Sequence, residues 1–302
     1  MNPDTDPRVK VTGVSIIRNA IKYDYPIIES LNSLLPICDE VIVSVGNSTD
    51  DTKEIIESIG NNKLIITDSI WDETIITGGS VLANETNKVI AQVSQDSDWI
   101  VYLQADEVLH QDDYDTIRQA LIKYSNDDEV EGLLFNYRHF YGSYKYVGNS
   151  RKWYRREIRA IKNNRNIYSY RDAQGFRIGN DRKLKVAHIP AFVHHYGWVK
   201  PPDTQREKIQ SFIKLWHQGE ELTRQTNQVA DFNYHKIDSL AIYQHIHPSV
   251  MFDRIIKQNW DFDYDVSIKN LSKKDQFTHF IEHITGYRIG EYKPYKIVKS
   301  LM

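Results

Sequence analysis

The chain has 302 residues, of which 40% are hydrophobic and 26% are charged, a composition typical of a soluble globular protein with a well-formed core. Its formal net charge of -3 excludes a general electrostatic attraction to nucleic acid, so we expect no nucleic-acid partner, and an anionic ligand must meet a local basic patch. The sequence also lacks an apolar segment of about 18 residues, the length that a membrane-spanning helix needs.

The first part of the chain alternates predicted strands with predicted helices. Short apolar runs rich in β-branched residues predict strands, whereas apolar residues at every third or fourth position predict helices. In chain order, the strands are expected at 11–17, 40–45, 63–67 and 99–103, and the helices at about 26–35, 52–60, 80–94 and 112–124. This alternation predicts an α/β fold with a mostly parallel, doubly wound central sheet flanked by helices.

Polar loops follow the second and fourth predicted strands. The second strand leads into the turn GNSTDDT at 46–52, and the fourth leads into QADE at 104–107. Because the carboxyl ends of parallel strands meet at one edge of a sheet, we expect both loops to open toward the same side. In open α/β sheets, ligands bind at this edge.

Asp106 and Glu107 form an acidic pair in the second of these loops. Adjacent carboxylates repel one another and lose hydration, and a divalent cation or a positively charged ligand between them would relieve both effects. Alternatively, the two residues only begin the next helix, near Asp112 and Asp113. This stretch alone leaves both interpretations open.

The pattern of residues changes after residue 130. Aromatic residues in near alternation, with glycines between them, predict antiparallel strands or a hairpin joined to the sheet. A basic stretch follows, which suits either a solvated face or a surface that meets phosphate groups or an acidic glycan. It contains Arg151, Lys152, Arg155, Arg156, Arg159, Lys162 and Arg165.

Pro201 and Pro202 mark a boundary, since neither residue donates a backbone hydrogen bond and both stiffen the chain. Beyond them the apolar spacing is mainly helical. We therefore divide the chain into a domain at 1–199, with halves at 1–125 and 126–199, and a helical C-terminal extension at 200–302. Lysines in this extension permit peripheral contact with an anionic membrane surface.

Two features predict a cytoplasmic protein. The amino terminus lacks the charged-then-apolar order of a signal peptide. The lone Cys38 has no cysteine with which to pair and is expected to fill core space. With the lysines of the extension, these features favour a location in the cytoplasm or at the inner face of the membrane.

The order of these motifs resembles the GT-A glycosyltransferases, particularly the family 2 type of bacterial and viral cell-surface enzymes. The resemblance covers about 11–199 and rests on Arg18 and Asn19 after the first strand, the NSTDDT turn, the helix with Asn87, and LQADE. It implies a GT-A, Rossmann-like fold, with a nucleotide-sugar-binding first half and an acceptor-binding second half.

Two positions differ from the motifs of that family. Its turn commonly reads D-G-S-T-D-x-T and contacts the nucleoside, and its later motif reads D-x-D-E and holds a divalent metal on the diphosphate. Here Gly46 and Asn47 replace the usual Asp-Gly, and Gln104 replaces the first carboxylate. Asp106 is then the principal candidate metal ligand, with Glu107 beside it.

The resemblance implies Mn²⁺ or Mg²⁺ as the cofactor and a nucleotide-diphosphate sugar as the donor. His195 is a candidate for a further metal ligand; alternatively it is a structural residue packed on its aromatic neighbours, and His194 is expected to point the other way. Asp50 has two alternative roles, contact with the nucleoside and capping of the helix that follows. The candidate donor-binding residues are Asn19, Asn47, Asp50, Gln104 and Asp106.

An inverting transferase needs a carboxylate that removes the proton of the acceptor hydroxyl. Asp172 is the candidate, because it lies between the central sheet and the histidine motif, where the related enzymes carry their base. Asp181 is the rival, and a turn residue before Gly175 is the structural alternative.

The resemblance thus implies a metal-dependent, inverting glycosyltransferase that acts on a hydroxyl of a glycan or a lipid-linked acceptor. One alternative is a nucleotidyltransferase of the same fold class, although such enzymes carry a Gly-rich loop after the first strand and this chain reads IIRNAIKYDYP there. A second alternative is a non-catalytic glycan-binding protein, which Gln104 in place of aspartate keeps open.

Overall fold

The computed structural model describes residues 8–72, 74–75, 78–217, 219–230 and 232–301. Its first part alternates strands with helices, as the apolar runs predict. The elements are β1 (Val11–Ile17), α1 (Ile27–Leu34), β2 (Glu40–Val45), α2 (Thr52–Glu57), β3 (Leu64–Asp68), α3 (Ser80–Ile90), β4 (Trp99–Tyr102), β5 (Glu107–Leu109) and α4 (Tyr114–Tyr124). The first two strands have the predicted bounds, and α3 and α4 are shorter than predicted.

Four parallel strands in the order β3-β2-β1-β4 form the part of the sheet that the sequence predicted. Val14 of β1 lies opposite Ile42 of β2 on one side and Tyr102 of β4 on the other. The loops that follow these three strands therefore leave the sheet at one edge. The predicted α/β class with a mostly parallel central sheet is confirmed.

The two faces of this sheet bury two apolar clusters, because successive side chains of a strand point to opposite faces. On one face, Val11 and Ile17 belong to the cluster that includes the buried side of α1. On the other face, Val14 and Ile16 belong to the cluster that includes Val89 of α3. Helices thus cover both faces, as in a doubly wound sheet.

Cys38 lies in the first of these clusters and is 3% exposed, in agreement with the predicted core role. Burial raises the pKa of its thiol far above the ordinary value. A Cβ on the adjacent Gly13 would lie 2.8 Å from Leu34 and 3.0 Å from Cys38 Sγ. Glycine at position 13 therefore lets β1 approach α1 closely.

The second part of the chain extends the sheet with the predicted antiparallel strands. Its elements are β6 (Gly132–Tyr141), β7 (Ser143–Gly148), β8 (Arg156–Lys162), β9 (Ile167–Tyr170), β10 (Gly175–Ile178), β11 (Arg182–Lys183) and β12 (Lys185–Trp198). β8 pairs antiparallel with β4 and β6, while β9, β10 and β11 form a small separate sheet. The 14-residue β12 lies between β6 and β5 and carries the histidine motif.

The segment after residue 200 contains strands as well as helices. Its elements are α5 (Pro202–Lys214), α6 (Gly219–Val229), β13 (Leu240–Ile242), α7 (Phe252–Ile256), α8 (Lys273–Thr285) and β14 (Lys296–Ser300). β13 pairs with β7 and β14 pairs with β12, so both join the main sheet. The division of the chain at residue 200 stays a prediction.

Each helix among the described residues is too short or too polar to cross a bilayer.

Candidate active site

A cavity of about 820 Å³ opens at the carboxyl edge of the parallel strands, where the sequence placed the ligand site. Side chains from the loops after β1 and β4, from the β9–β10 turn, from β12 and from α5 line it. These include Asn19, Tyr25, Trp71, Gln104, Asp106, Asp172, His195, Lys208 and Trp216. The cavity thus brings together five of the predicted site residues, namely Asn19, Gln104, Asp106, Asp172 and His195.

Asp106 lies in the turn that follows β4, and only 7% of it is exposed. Lys208 donates from Nζ to its Oδ2 at 3.0 Å, and His195 Nε2 lies 3.7 Å from its Oδ1. Burial alone would raise the pKa of Asp106, but the nearby Lys208 ammonium, with smaller contributions from His195 and Lys200, holds it far below the ordinary value. The carboxylate is therefore ionised at neutral pH.

Glu107 does not line the cavity, although it is adjacent to Asp106 in sequence. It begins β5, where it lies opposite His195 of β12, and it is fully buried. Arg159 donates from Nε and Nη2 to its two oxygens at 2.7 Å each, and Tyr137 donates to Oε1 at 2.8 Å. Glu107 is therefore the buried counter-ion of Arg159, whereas the sequence predicted it as a metal ligand beside Asp106.

His195 and Gly197 complete the wall of the cavity beside Asp106. Both residues belong to β12, and the alternation of that strand turns His194 to the opposite side, against Arg138 and Tyr243, as predicted. A Cβ at position 197 would lie 2.6 Å from His195 Nε2 and 2.7 Å from Asp106 Oδ2. The missing side chain of Gly197 thus leaves a small space between the two polar groups.

These groups fit a divalent cation that is shared with a ligand. Asp106 is ionised, and burial lowers the pKa of His195, which favours the neutral ring that a metal requires. The 3.7 Å between the two ligand atoms is a distance that one ion can span with bonds of roughly 2.1 Å. Among the described residues, no group of three or more His, Cys, Asp or Glu is arranged to hold a metal, so a diphosphate and water would supply the other ligands.

We predict that Gly197→Ala removes cation binding without unfolding the protein. The added methyl group would occupy the space between His195 Nε2 and Asp106 Oδ2. Position 197 lies in a strand and its φ is negative, so alanine adds no backbone strain there. Titration with Mn²⁺ in the presence of a nucleoside diphosphate should show at least a tenfold loss of affinity, with an unchanged circular dichroism spectrum. Wild-type affinity in this variant would contradict the site.

Asp172 reaches the cavity from the turn between β9 and β10. The residues on either side, Arg171 and Ala173, have φ values of 55° and 60°, an uncommon conformation for residues other than glycine. Burial raises the pKa of Asp172 above its ordinary value. Gln104 donates from Nε2 to the Ala173 carbonyl at 3.4 Å, which ties this turn to the loop after β4. Asp172 is thus a partly desolvated carboxylate at the cavity wall.

Asp181, the rival candidate, occupies a different place. Its side chain is 76% exposed and lies 3.6 Å from Arg177. It is not among the residues that line the cavity.

The predicted nucleoside contacts divide into two groups. Asn19, with a φ of 55°, lines the cavity and accepts a hydrogen bond from the Thr49 backbone at 2.7 Å. Asp50 instead accepts from the backbone of Lys22 at 2.7 Å and of Thr52 at 3.2 Å, and it lies one residue before Asp51, the residue at the N-cap position of α2. Asn47 is exposed and does not line the cavity.

Trp71 packs against Gly46, one of the two positions at which the turn after β2 differs from the family motif. A Cβ at Gly46 would lie 2.5 Å from Trp71 Nε1, so only glycine allows this contact. Asn47 accepts a hydrogen bond from the Trp71 backbone at 3.2 Å. The residues Gly46 and Asn47 therefore hold an aromatic ring at the wall of the cavity.

Lys208 and Trp216 are site residues that the sequence did not assign. Both belong to the segment after Pro202, where helical spacing predicted an apolar face and nothing distinguished one lysine from a solvated one. Lys208 is only 8% exposed and also donates to the Gly197 carbonyl at 3.0 Å. Trp216 is 41% exposed and lies against Gly79, which Asp172 also contacts.

The basic stretch that follows β7 is engaged within the chain. Arg155 donates to both oxygens of Glu291, at 2.9 Å and 2.8 Å, and Arg151 lies 3.4 Å from Glu282. Arg159 is buried against Glu107. These arginines therefore stabilise the fold by contacts with the C-terminal segment and the core.

Glu157, on β8, is 5% exposed, and burial raises its pKa to about 8 from an ordinary 4.5. The folded state thus holds a proton that the unfolded state has lost, so stability falls as the pH rises from 4.5 to 8. We predict that Glu157→Gln removes this loss and increases the free energy of unfolding by up to about 4 kcal/mol at pH 8.

Urea unfolding of both proteins between pH 4 and pH 8 tests this prediction. The difference between wild type and variant should vanish near pH 4 and grow toward pH 8. The exposed Glu129, changed to glutamine in the same way, serves as the control and should leave the profile unchanged. A Glu157→Gln profile parallel to that of the wild type would contradict the elevated pKa.

The comparisons with known proteins give distant similarities only. A scan of protein families finds no match, and no curated protein sequence matches either. Among solved structures, the chain is similar to S. aureus TarS, with a TM-score of 0.39 and 15% identity over 74% of this chain and 42% of that one. The chain thus spans less than half of the TarS chain.

Two further solved structures are similar at the same level. Glucosyl-3-phosphoglycerate synthase from Mycobacterium tuberculosis, in complex with Mn²⁺, uridine diphosphate and phosphoglyceric acid, gives a TM-score of 0.30 and 17% identity over 44% of each chain. 4-Diphosphocytidyl-2C-methyl-D-erythritol synthase from Anaerococcus prevotii gives 0.38 and 12%, over 74% of this chain and 96% of that one. Because these similarities are so distant, the functional interpretation rests on the site itself.

Proposed function

We propose that the protein is a transferase of the GT-A kind that uses a nucleotide-diphosphate sugar. More specifically, it moves the sugar to a hydroxyl group of a glycan or a lipid-linked acceptor with inversion, in a reaction that depends on a divalent metal. One observation carries the proposal: an ionised Asp106 and a neutral His195 converge at the carboxyl edge of a parallel sheet, in a cavity that a partly desolvated Asp172 also lines.

The diphosphate end of the donor belongs beside Asp106. Negative charge accumulates on the departing nucleoside diphosphate, and stabilising this charge is the main task of the site. Mn²⁺ or Mg²⁺, held by Asp106 and His195, supplies Lewis-acid stabilisation of the diphosphate when bound. The Lys208 ammonium, 3.0 Å from Asp106 Oδ2, adds a second positive charge at the same end.

The nucleoside end belongs near Asn19 and Trp71. The Trp71 ring offers a flat apolar surface for a base, and Asn19, in the loop after β1, lines the same cavity. Gln104 lies between this end and Asp172 and holds the Asp172 turn in place through the Ala173 carbonyl.

Asp172 is proposed as the base that removes the proton of the acceptor hydroxyl as that oxygen attacks the anomeric carbon. Its raised pKa makes it a stronger proton acceptor than an ordinary carboxylate. Trp216, close to Asp172 through their shared contact with Gly79, offers a face for an acceptor sugar. A cytoplasmic location and peripheral contact with the inner face of a membrane stay predictions.

A donor screen tests the proposal. Thermal shift is measured with a panel of nucleotide sugars and nucleoside diphosphates, with Mn²⁺ and with excess chelator, and release of the nucleoside diphosphate is then followed for each binder. We expect metal-dependent stabilisation by one class of nucleotide and slow turnover of its sugar. Pyrophosphate-dependent nucleotide synthesis would instead indicate a nucleotidyltransferase, and the absence of metal-dependent nucleotide binding would overturn the proposal.

A further inference from the structure

We infer that His139 is a positioning residue that fixes which nitrogen of His195 carries the proton, so that His195 Nε2 presents a bare lone pair to the cation. The inference deepens the proposed function, since it rests on the cation site between Asp106 and His195. His139 lies outside the set of groups that would touch the cation or the substrate.

The two histidines are neighbours across a pair of parallel strands. His139 of β6 lies opposite His195 of β12, and their Nδ1 atoms are 3.1 Å apart. The other nitrogen of His139, Nε2, lies 2.8 Å from the carbonyl oxygen of Tyr154. His139 is only 3% exposed, so these contacts replace water for both ring nitrogens.

The direction of each hydrogen bond follows from the chemistry of the partners. A carbonyl oxygen only accepts, so the proton of His139 is on Nε2, and Nδ1 of the neutral ring is an acceptor. The 3.1 Å contact between the two Nδ1 atoms needs one proton, which His195 must then donate. Neutral His195 therefore carries its proton on Nδ1, and its Nε2 is bare.

The bare Nε2 atom of His195 faces the space beside Asp106 in which the cation is proposed to bind. His195 Nε2 lies 3.7 Å from Asp106 Oδ1, too far for a hydrogen bond, and both atoms border the space that Gly197 leaves open. The opposite tautomer would direct an N–H group at the cation and prevent coordination. The hydrogen bond from His195 to His139 thus prepares the ligand before the cation arrives.

Aromatic rings hold His139 in this orientation. Its ring stacks on Trp153 at a centroid distance of 5.1 Å and meets the edge of Tyr154 at 4.3 Å. Tyr137 stacks at 5.4 Å from the same ring. A flip of the imidazole would break the hydrogen bond to the Tyr154 carbonyl, so the packed rings and the carbonyl together select one arrangement.

Substitutions at position 139 separate the hydrogen bond from simple packing. His139→Phe keeps a planar ring but has no acceptor for His195, and we expect a 10- to 100-fold loss of Mn²⁺ affinity. His139→Asn keeps an acceptor near the position of Nδ1 and should remain within a few-fold of the wild type. His188→Phe, which changes a histidine of β12 whose hydrogen-bond partner is Asn136, is the matched control and should leave Mn²⁺ affinity unchanged.

Mn²⁺ affinity is measured with and without uridine diphosphate by electron paramagnetic resonance of the free ion, and the tautomer of His195 is read from nitrogen NMR of labelled protein. We expect the wild type to show His195 protonated on Nδ1, and His139→Phe to show loss of that single form. A folded His139→Phe protein with wild-type Mn²⁺ affinity would overturn the inference, and so would a wild-type His195 protonated on Nε2.

The NMR measurement on the wild type is by itself a test of the His195 tautomer, so it remains decisive if His139→Phe does not fold. Neither measurement depends on turnover. If no sugar is transferred but Mn²⁺ affinity falls in His139→Phe as expected, the proposed reaction fails and the role of His139 stands. If the wild type binds no Mn²⁺ with or without the diphosphate, the role of His139 toward a cation is overturned.

Discussion

Asp106→Asn is expected to lower turnover by roughly 10³-fold or more and to remove metal-dependent nucleotide binding. Asparagine has the same shape but no charge, so the variant loses the ionised ligand that faces His195 and the counter-charge of Lys208. The loss of this buried ion pair should also lower the free energy of unfolding by about 3 kcal/mol, which leaves the protein folded. Initial rates, Mn²⁺ titration and thermal unfolding give the three quantities.

Lys208→Met is the control for this variant, because it breaks the same ion pair and keeps the carboxylate. If Asp106 binds the cation, Lys208→Met should retain or increase the affinity for Mn²⁺ alone, since a competing positive charge is removed. Asp106→Asn should lose that affinity. Equal Mn²⁺ affinity in both variants, or full wild-type activity in excess chelator, would contradict a metal role for Asp106.

Asp172→Asn is expected to lower kcat by about 10² to 10⁴-fold while donor affinity stays within a few-fold of the wild type. The amide cannot accept the proton of the acceptor hydroxyl, whereas the diphosphate end of the cavity is unaffected. Asp181→Asn, which changes an exposed aspartate outside the cavity, should behave as the wild type. A collapse of donor binding in Asp172→Asn would show that Asp172 is not a simple base.

The pH dependence gives a second test of Asp172. A base must be ionised to act, so kcat/KM should fall as the pH drops below the pKa of Asp172. Because burial raises that pKa, the fall should begin at a higher pH than an ordinary aspartate would give. The residual activity of Asp172→Asn should not show this fall of kcat/KM at low pH. If the fall persists in the variant, the titration of another group causes it.

The sequence predicted the parallel half of the fold well, because its signals are local. The apolar runs at 11–17 and 40–45 have the bounds of β1 and β2, and the polar turns after them mark the edge where the cavity lies. Asp106 and His195 could be assigned as candidate site residues because the motifs that contain them follow the predicted strands in a recognisable order along the chain. The placement of Asp106 and His195 beside each other agrees with that assignment, and their roles stay predictions.

Other parts of the site depended on contacts that local patterns do not encode. Glu107 is withheld from the cavity because Arg159 and Tyr137, 52 and 30 residues later in the chain, bind its carboxylate, and the sequence does not reveal those contacts. Lys208 is an ordinary helix residue until α5 packs against the cavity. β13 and β14 are short strands that join the sheet by pairing with the distant strands β7 and β12, and no local pattern indicates those pairings.

The pairing of β5 with β12 also orders events during synthesis of the chain. Four parallel strands are complete once Tyr102 has been made, and they can pair with one another early. Asp106 and His195 come together only after His195 has been made and β12 has paired with β5, and Lys208 joins them later still. The parallel strands of a nascent chain can therefore pair well before the cavity is complete. A partly made chain that ends before His195 has the edge of the sheet but lacks His195 and Lys208 beside Asp106.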